Sequence, residues 1–165
     1  MPRRPPSEHP TQPTQGGRAV RTGNALERVV LHALDDNHYT YIPPRRFIAA
    51  CCLPQPLYTR QINACESVYG TQVFADFMLY HPDKWPDKLI IECKWQQSSG
   101  SVDEKYPYNV LNIREQYPCP CIILLDGEGY KPGAAAWLRR QVDGRKLLAV
   151  FSMVQFQTWV NNDHL

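Results

Sequence analysis

The sequence predicts one α/β domain built on a mixed β-sheet flanked by helices, and three observations predict it. Apolar residues recur at helical spacing near the N-terminus; three β-type runs separated by turn residues follow; and a short continuous apolar run, Cys121 to Leu125, then alternates with further helical and strand patterns. At 165 residues, 43% of them hydrophobic, the chain has room for one compact core.

Residues 1–22 hold five prolines and two adjacent glycines. So little apolar side chain cannot offset the entropy of ordering, so this basic, Pro-rich tail reads as disordered and the domain as residues 23–165. From Asn24 the pattern is helical, with Leu26, Val30, Ala33 and Leu34 at i, i+4, i+7 and i+8, and Asn24 and Glu27 at capping-box spacing. This helix should end near Asp36. In YIPPRRF, Pro43 and Pro44 rule out regular structure.

Runs from Leu57 to Ile62, Thr71 to Tyr80 and Leu89 to Trp95 read as an antiparallel meander, with residues 67–70 as a turn and HPDKWPDK as a polar loop. Residues 97–101 break the third strand. Ser101 and Glu104 repeat the capping-box spacing ahead of a helix over 102–116, which Pro107 should kink. Cys121 to Leu125, bounded by Pro120 and Gly127, has the composition of a central strand buried on both faces. Ala134 to Val142 reads as a helix, Leu147 to Phe151 as a strand and Val154 to Asn161 as a terminal helix. A helix between successive apolar runs is the crossover parallel strands need, which makes the sheet mixed.

Net charge is +2, but the tail carries Arg3, Arg4, Arg18 and Arg21 against Glu8, leaving 14 basic and 15 acidic residues elsewhere. A near-neutral domain does not announce a nucleic-acid binder by composition. No apolar signal region and no run of membrane-spanning length is present, so a cytoplasmic protein with no membrane partner is expected. The six cysteines lie in or beside apolar stretches without CxxC spacing or a nearby His pair, which favours reduced, mostly core thiols over disulfides or structural zinc.

Asp76 falls near the end of one predicted strand, and Glu92 and Lys94 stand two apart on another. Period-two alternation puts Glu92 and Lys94 on one face and Cys93 on the other. On neighbouring strands these charges would converge. Two close carboxylates repel unless a hard cation sits between them, and an oxygen donor set suits Mg²⁺, with Mn²⁺ as a substitute. Such an ion acidifies water and neutralises charge on a phosphate, while a lysine orients or helps deprotonate the water. Taken alone, the same residues also describe a surface ion pair and a solvent-facing edge glutamate.

Ala75-Asp76 together with Glu92-Cys93-Lys94 at the end of a hydrophobic strand resembles the PD-(D/E)XK superfamily of restriction-endonuclease-like nucleases, with alanine at the motif's often-varied proline position. The order helix, three-strand meander, helix, strand, helix is the one this resemblance implies. It also implies that Glu27 joins the metal ligands, as the acidic residue many members carry on the first helix, although Glu27 equally fits a capping-box partner. Gln96 looks like the polar residue some branches add after the lysine, and residues 97–105 resemble the turn and helix start of phage-type and homing-type members.

The implied activity is phosphodiester hydrolysis, most directly as a DNA endonuclease without an organic cofactor. An RNA-cleaving or toxin-type nuclease is the alternative within that class, and a non-catalytic nucleic-acid-binding module the alternative outside it. So small a domain would cut both strands as a homodimer, or would recognise a junction, flap or end. Lys105 and Arg114 are candidate phosphate contacts, with a solvated helix face as their plainer explanation. Trp137 and Trp159 fall in helical patterns and read as core.

Overall fold

Among the described residues six strands lie in one sheet in chain order: β1 (Thr40–Tyr41), β2 (Leu57–Glu66), β3 (Gln72–His81), β4 (Trp85–Trp95), β5 (Cys121–Asp126) and β6 (Leu147–Phe151). The structure is a computed structural model that describes residues 15–96 and 103–165, with side chains from residue 25 onward. The meander β2–β3–β4 is antiparallel, β4–β5–β6 is parallel, and β1 pairs parallel with β2 at the edge. The fold is thus the mixed sheet expected, and β5 is an interior strand whose Cys121 to Leu125 are all buried.

Among the described residues five α-helices cover the sheet. Leu26, Val30, Ala33 and Leu34, the apolar seam of α1 (Gln15–Asp36), pack with Phe156 of α5 (Met153–Asn161) against Phe77, Leu79, Leu89, Ile91, Ile122 and Leu124. The other face takes Phe47 from α2 (Pro44–Ala50), Tyr106, Val110 and Ile113 from α3 (Tyr106–Glu115), and Ala135 and Leu138 from α4 (Pro132–Arg139). Among the described residues no helix is long and apolar enough to cross a membrane.

The departures from expectation come mainly from chain ends and prolines. The first helix starts at Gln15, inside the stretch assigned to the tail, so Asn24 is not at its N-terminus and no capping box forms there. The rest of that tail, residues 1–14, lies outside the described residues, as do residues 97–102 with the expected strand break and Ser101 cap. Pro43 and Pro44 start α2 instead of preventing it: Pro44 occupies the first turn, where a missing N–H costs nothing and φ is already helical. Pro107 likewise sits in the first turn of α3, preceded by a 3-10 turn over Asp103–Lys105, so it requires no kink. In HPDKWPDK, β3 runs to His81 and β4 starts at Trp85, and His81 Nδ1 accepts the N–H of Asp83 and Lys84 to close a tight turn. All six cysteines are free; Cys119 and Cys121 are buried and Cys52 is exposed.

Candidate active site

The strand alternation of β4 sends Ile90, Glu92 and Lys94 toward α3, while Leu89, Ile91 and Cys93 face α1. Glu92 is 4% exposed. A buried carboxylate is tolerated only when paired and hydrogen-bonded, and both of its oxygens are engaged. Lys94 Nζ donates to Oε2 at 2.6 Å, and the hydroxyl of Tyr117, from the turn between α3 and β5, donates to Oε1 at 2.7 Å.

Asp76 arrives from β3. The β3–β4 register runs from the hairpin to Phe77 opposite Ile91 and stops there. One residue further on, the Asp76 carboxylate enters the gap: Oδ2 accepts the Cys93 N–H at 2.8 Å and lies 3.9 Å from Lys94 Nζ. Its Oδ1 accepts Nε2 of Gln61 at 3.1 Å. Gln61, on β2, is exposed and holds φ at +48°, a left-handed conformation unusual for a non-glycine residue inside a strand. Asp76, Glu92 and Lys94 therefore meet at one point, where two strands splay.

The electrostatics follow from burial and from the count of charges. Burial pushes the Glu92 carboxyl above its ordinary range; Lys94 and the Tyr117 hydrogen bond pull it down, Asp76 pushes it up, and the net direction is up. For Lys94, burial alone would lower the pKa, but the Glu92 and Asp76 carboxylates outweigh it and hold the ammonium above its usual value. Burial, with Glu92 next to it, also raises the Tyr117 phenol, which stays a hydrogen-bond donor. Two carboxylates thus share one ammonium, and the centre has negative charge in excess.

The donor set fits a hard divalent cation. Asp76 and Glu92 offer only oxygen, and among the described residues no cluster of three or more His, Cys, Asp or Glu side chains forms. An ion held by two carboxylates, with water completing its shell, matches the habit of Mg²⁺ rather than that of zinc or calcium.

The remaining sequence candidates lie elsewhere. Glu27 does not join the pair, nor does it cap a helix: it forms an ion pair with Arg60 of β2, whose guanidinium lies over the Phe77 ring, and so ties α1 to the opposite face of the sheet. The nearer cation claims this carboxylate. Gln96 is 3% exposed; its carbonyl accepts the Tyr106 hydroxyl and its amide donates to the Gly129 carbonyl, both at 3.1 Å. That bracket locks the end of β4 against the loop after β5, where a Cβ on Gly127 would stand 2.1 Å from the Gln96 carbonyl oxygen. Lys105 is exposed at the start of α3, and exposed Arg114 faces Asp143 at 3.6 Å.

Sequence reasoning missed Tyr117 and Gln61. No spacing rule ties Tyr117 to a strand it contacts across 25 residues. For Gln61 a weak signal existed in register alone, because pairing Arg60 with Phe77 and Ile62 with Ala75 places Gln61 opposite Asp76.

A mixed sheet with two carboxylates and a lysine where its strands splay is the architecture of the restriction-endonuclease-like nucleases. A family model described as the PD-(D/E)XK nuclease superfamily domain matches residues 18–164, and the chain belongs to that superfamily. No curated protein and no solved structure matches it significantly. Nucleases of this superfamily generally use divalent metals, typically Mg²⁺.

Proposed function

We propose that the protein is a Mg²⁺-dependent DNA endonuclease whose active site is Asp76, Glu92 and Lys94. The observation that carries this reading is the meeting of both carboxylates with one ammonium, within 3.9 Å of its nitrogen, in a chain of the PD-(D/E)XK superfamily.

Asp76 and Glu92 would hold the cation. A bound Mg²⁺ supplies Lewis acidity, which acidifies water at the site and draws charge off the phosphate. The chain's own groups do the rest. Lys94, kept protonated by its two neighbours, positions the attacking water and offsets the negative charge that grows on the phosphoryl oxygens as the new P–O bond forms and the leaving oxygen departs. Tyr117 fixes the rotamer of Glu92 from behind, and the Cys93 N–H and the Gln61 amide fix Asp76. Their constraint would limit the rotation of the ligand carboxylates, which a small ion with strict geometry requires.

The test is cleavage of plasmid, single-stranded and branched DNA, and of RNA, by the full-length chain with Mg²⁺ or with EDTA. The expected result is DNA scission that requires the metal and disappears in Asp76→Ala. Cleavage confined to RNA, or none by folded protein on any substrate, would overturn the proposal.

A further inference from the structure

Charge that is diluted in the whole chain is concentrated in one turn. The segment from Arg139 to Lys146, which joins α4 to β6, carries Arg139, Arg140, Arg145 and Lys146 against a single acid, Asp143. Asp143 is spent on holding the turn in shape. Its Oδ1 accepts the N–H groups of Arg145, Lys146 and Leu147 at 2.9, 2.8 and 3.1 Å, and its Oδ2 faces Arg114. Gly144 reverses the chain at φ +68°.

Around this scaffold opens a cleft of about 400 Å³ lined by Arg114, Asp143, Arg145 and Lys146. Two of its cations, Arg114 and Lys146, are fixed by contacts that leave donors over. Arg114 gives one N–H to the Gln141 carbonyl at 3.0 Å, and Lys146 Nζ gives one to the Tyr117 carbonyl at 2.5 Å. None of the ion pairs among the described residues involves Arg139, Arg140 or Arg145. Three like charges converging on one concavity, with only a committed carboxylate among them, raise the local potential, and a phosphodiester is the anion such forks and ammonium groups match.

The cleft also has a defined relation to the chemistry. Tyr117 touches both sites, its carbonyl bound by Lys146 and its hydroxyl bound to Glu92.

We infer that the Arg114–Arg145–Lys146 cleft is a second, non-cleaving phosphate site that grips the backbone of the DNA substrate at a distance from the bond being cut. The inference rests on the nuclease reading above. It gives sequence-independent affinity and register, since backbone phosphates position a duplex without reporting its sequence.

Arg145 is the clean probe, because its guanidinium makes no ion pair among the described residues. The measurement is fluorescence anisotropy of the full-length chain with a labelled duplex of about 30 base pairs, in EDTA, across a salt titration. Arg145→Ala should weaken binding about fivefold and Arg145→Glu at least about tenfold, on two unrelated sequences alike, with the log–log salt slope reduced by about 1 and the melting temperature unchanged. A well-folded Arg145→Glu protein that binds duplex DNA with parental affinity and slope, yet is still a nuclease in Mg²⁺, would overturn the cleft alone. The same holds if its binding falls only for RNA, or only for inorganic phosphate. Parental protein that neither binds nor cuts DNA would instead remove the nuclease reading beneath it.

Discussion

The two faces of the sheet are both buried, but they are composed differently. Beneath α1 and α5 the contact is made by Leu26, Val30, Leu34, Phe77, Leu79, Ile91 and Phe156, and the charged pairs at its margin, Glu27 with Arg60 and Lys84 with Asp163, remain partly in solvent. Beneath α3 and α4, Glu92, Gln96, Asp103 and Asn112 are buried among apolar neighbours. Most of their polar atoms are partnered, with Asp103 Oδ1 the exception among these four: Asn112, for example, accepts the Val68 N–H at 2.8 Å and donates to the Tyr108 carbonyl at 3.0 Å. Burying polar groups costs free energy unless they are hydrogen-bonded, and even then the net gain per bond is about 1 kcal/mol. The apolar face is therefore where stability accumulates, and the polar face is where it is partly given back to hold Glu92 and Lys94 in place.

The largest separation between the faces should come from Lys94→Ala. Single-turnover cleavage of saturating DNA should fall by roughly 10²- to 10⁴-fold, with affinity little changed, because charge and water positioning are lost while both ligand carboxylates remain. The same variant should show a pH signature in stability. Folded Glu92 already holds its proton to a higher pH than the unfolded chain, and Lys94 is the group that restrains this shift. A raised carboxyl contributes stability that is present below the unfolded value and lost as pH rises through the folded one. Lys94→Ala should consequently melt further below the parent at about pH 8 than at about pH 5. Parental cleavage by a folded Lys94→Ala protein would remove the catalytic assignment.

On the other face Leu34→Ala should do the converse. Leu34 is fully buried on α1, and truncating such a residue costs about 2 to 5 kcal/mol, or several degrees of melting temperature in a domain of this size. Assayed well below its midpoint, the variant should cut at the parental rate per folded molecule. A rate that fell in proportion to stability would mean that the two faces are not separable.

Tyr117→Phe lies between these cases. It keeps the ring in the core and deletes only the hydroxyl on Glu92, a hydrogen bond to a charged group worth about 1.5 to 3 kcal/mol. The expected result is a rate lower by about tenfold at limiting Mg²⁺ that recovers as the ion is raised, because Glu92 is then less well held as a ligand. A lowered melting temperature with an unchanged Mg²⁺ dependence would assign Tyr117 to structure only.

What the sequence made legible follows the same division. Periodicity found the seam of α1, the meander and β6, because each is a repeat within a few residues that burial then enforces. The motif found Asp76, Glu92 and Lys94, whose convergence needs only alternation along β4 and a neighbouring strand. It also offered Glu27, whose position on the first helix says nothing about the Arg60 guanidinium on β2 with which it pairs. Pro43 and Pro44 read as excluding regular structure and Pro107 as kinking its helix, because a proline's effect depends on where a helix begins, which is decided by tertiary packing. The basic turn from Arg139 to Lys146 was visible as charge, but only the fold closes it into a cleft with Arg114 from a different helix.

The smallest effect expected, and the most diagnostic, concerns Gln61. A glutamine at φ +48° carries strain of order 1 kcal/mol that glycine would relieve, so Gln61→Gly should leave the melting temperature unchanged or raise it slightly, despite the loss of an exposed hydrogen bond. Activity should move the other way. Without the amide, Asp76 Oδ1 loses the partner that fixes its rotation, while Oδ2 still accepts the Cys93 N–H. The carboxylate is thus loosened rather than freed, and a drop of a few-fold in single-turnover rate at limiting Mg²⁺ is expected, again recoverable with more of the ion. Opposite signs in stability and rate would show that the backbone strain is maintained for the site. A Gln61→Gly protein that is both more stable and fully active would show instead that the left-handed residue is a property of the β2 strand, with no part in holding Asp76.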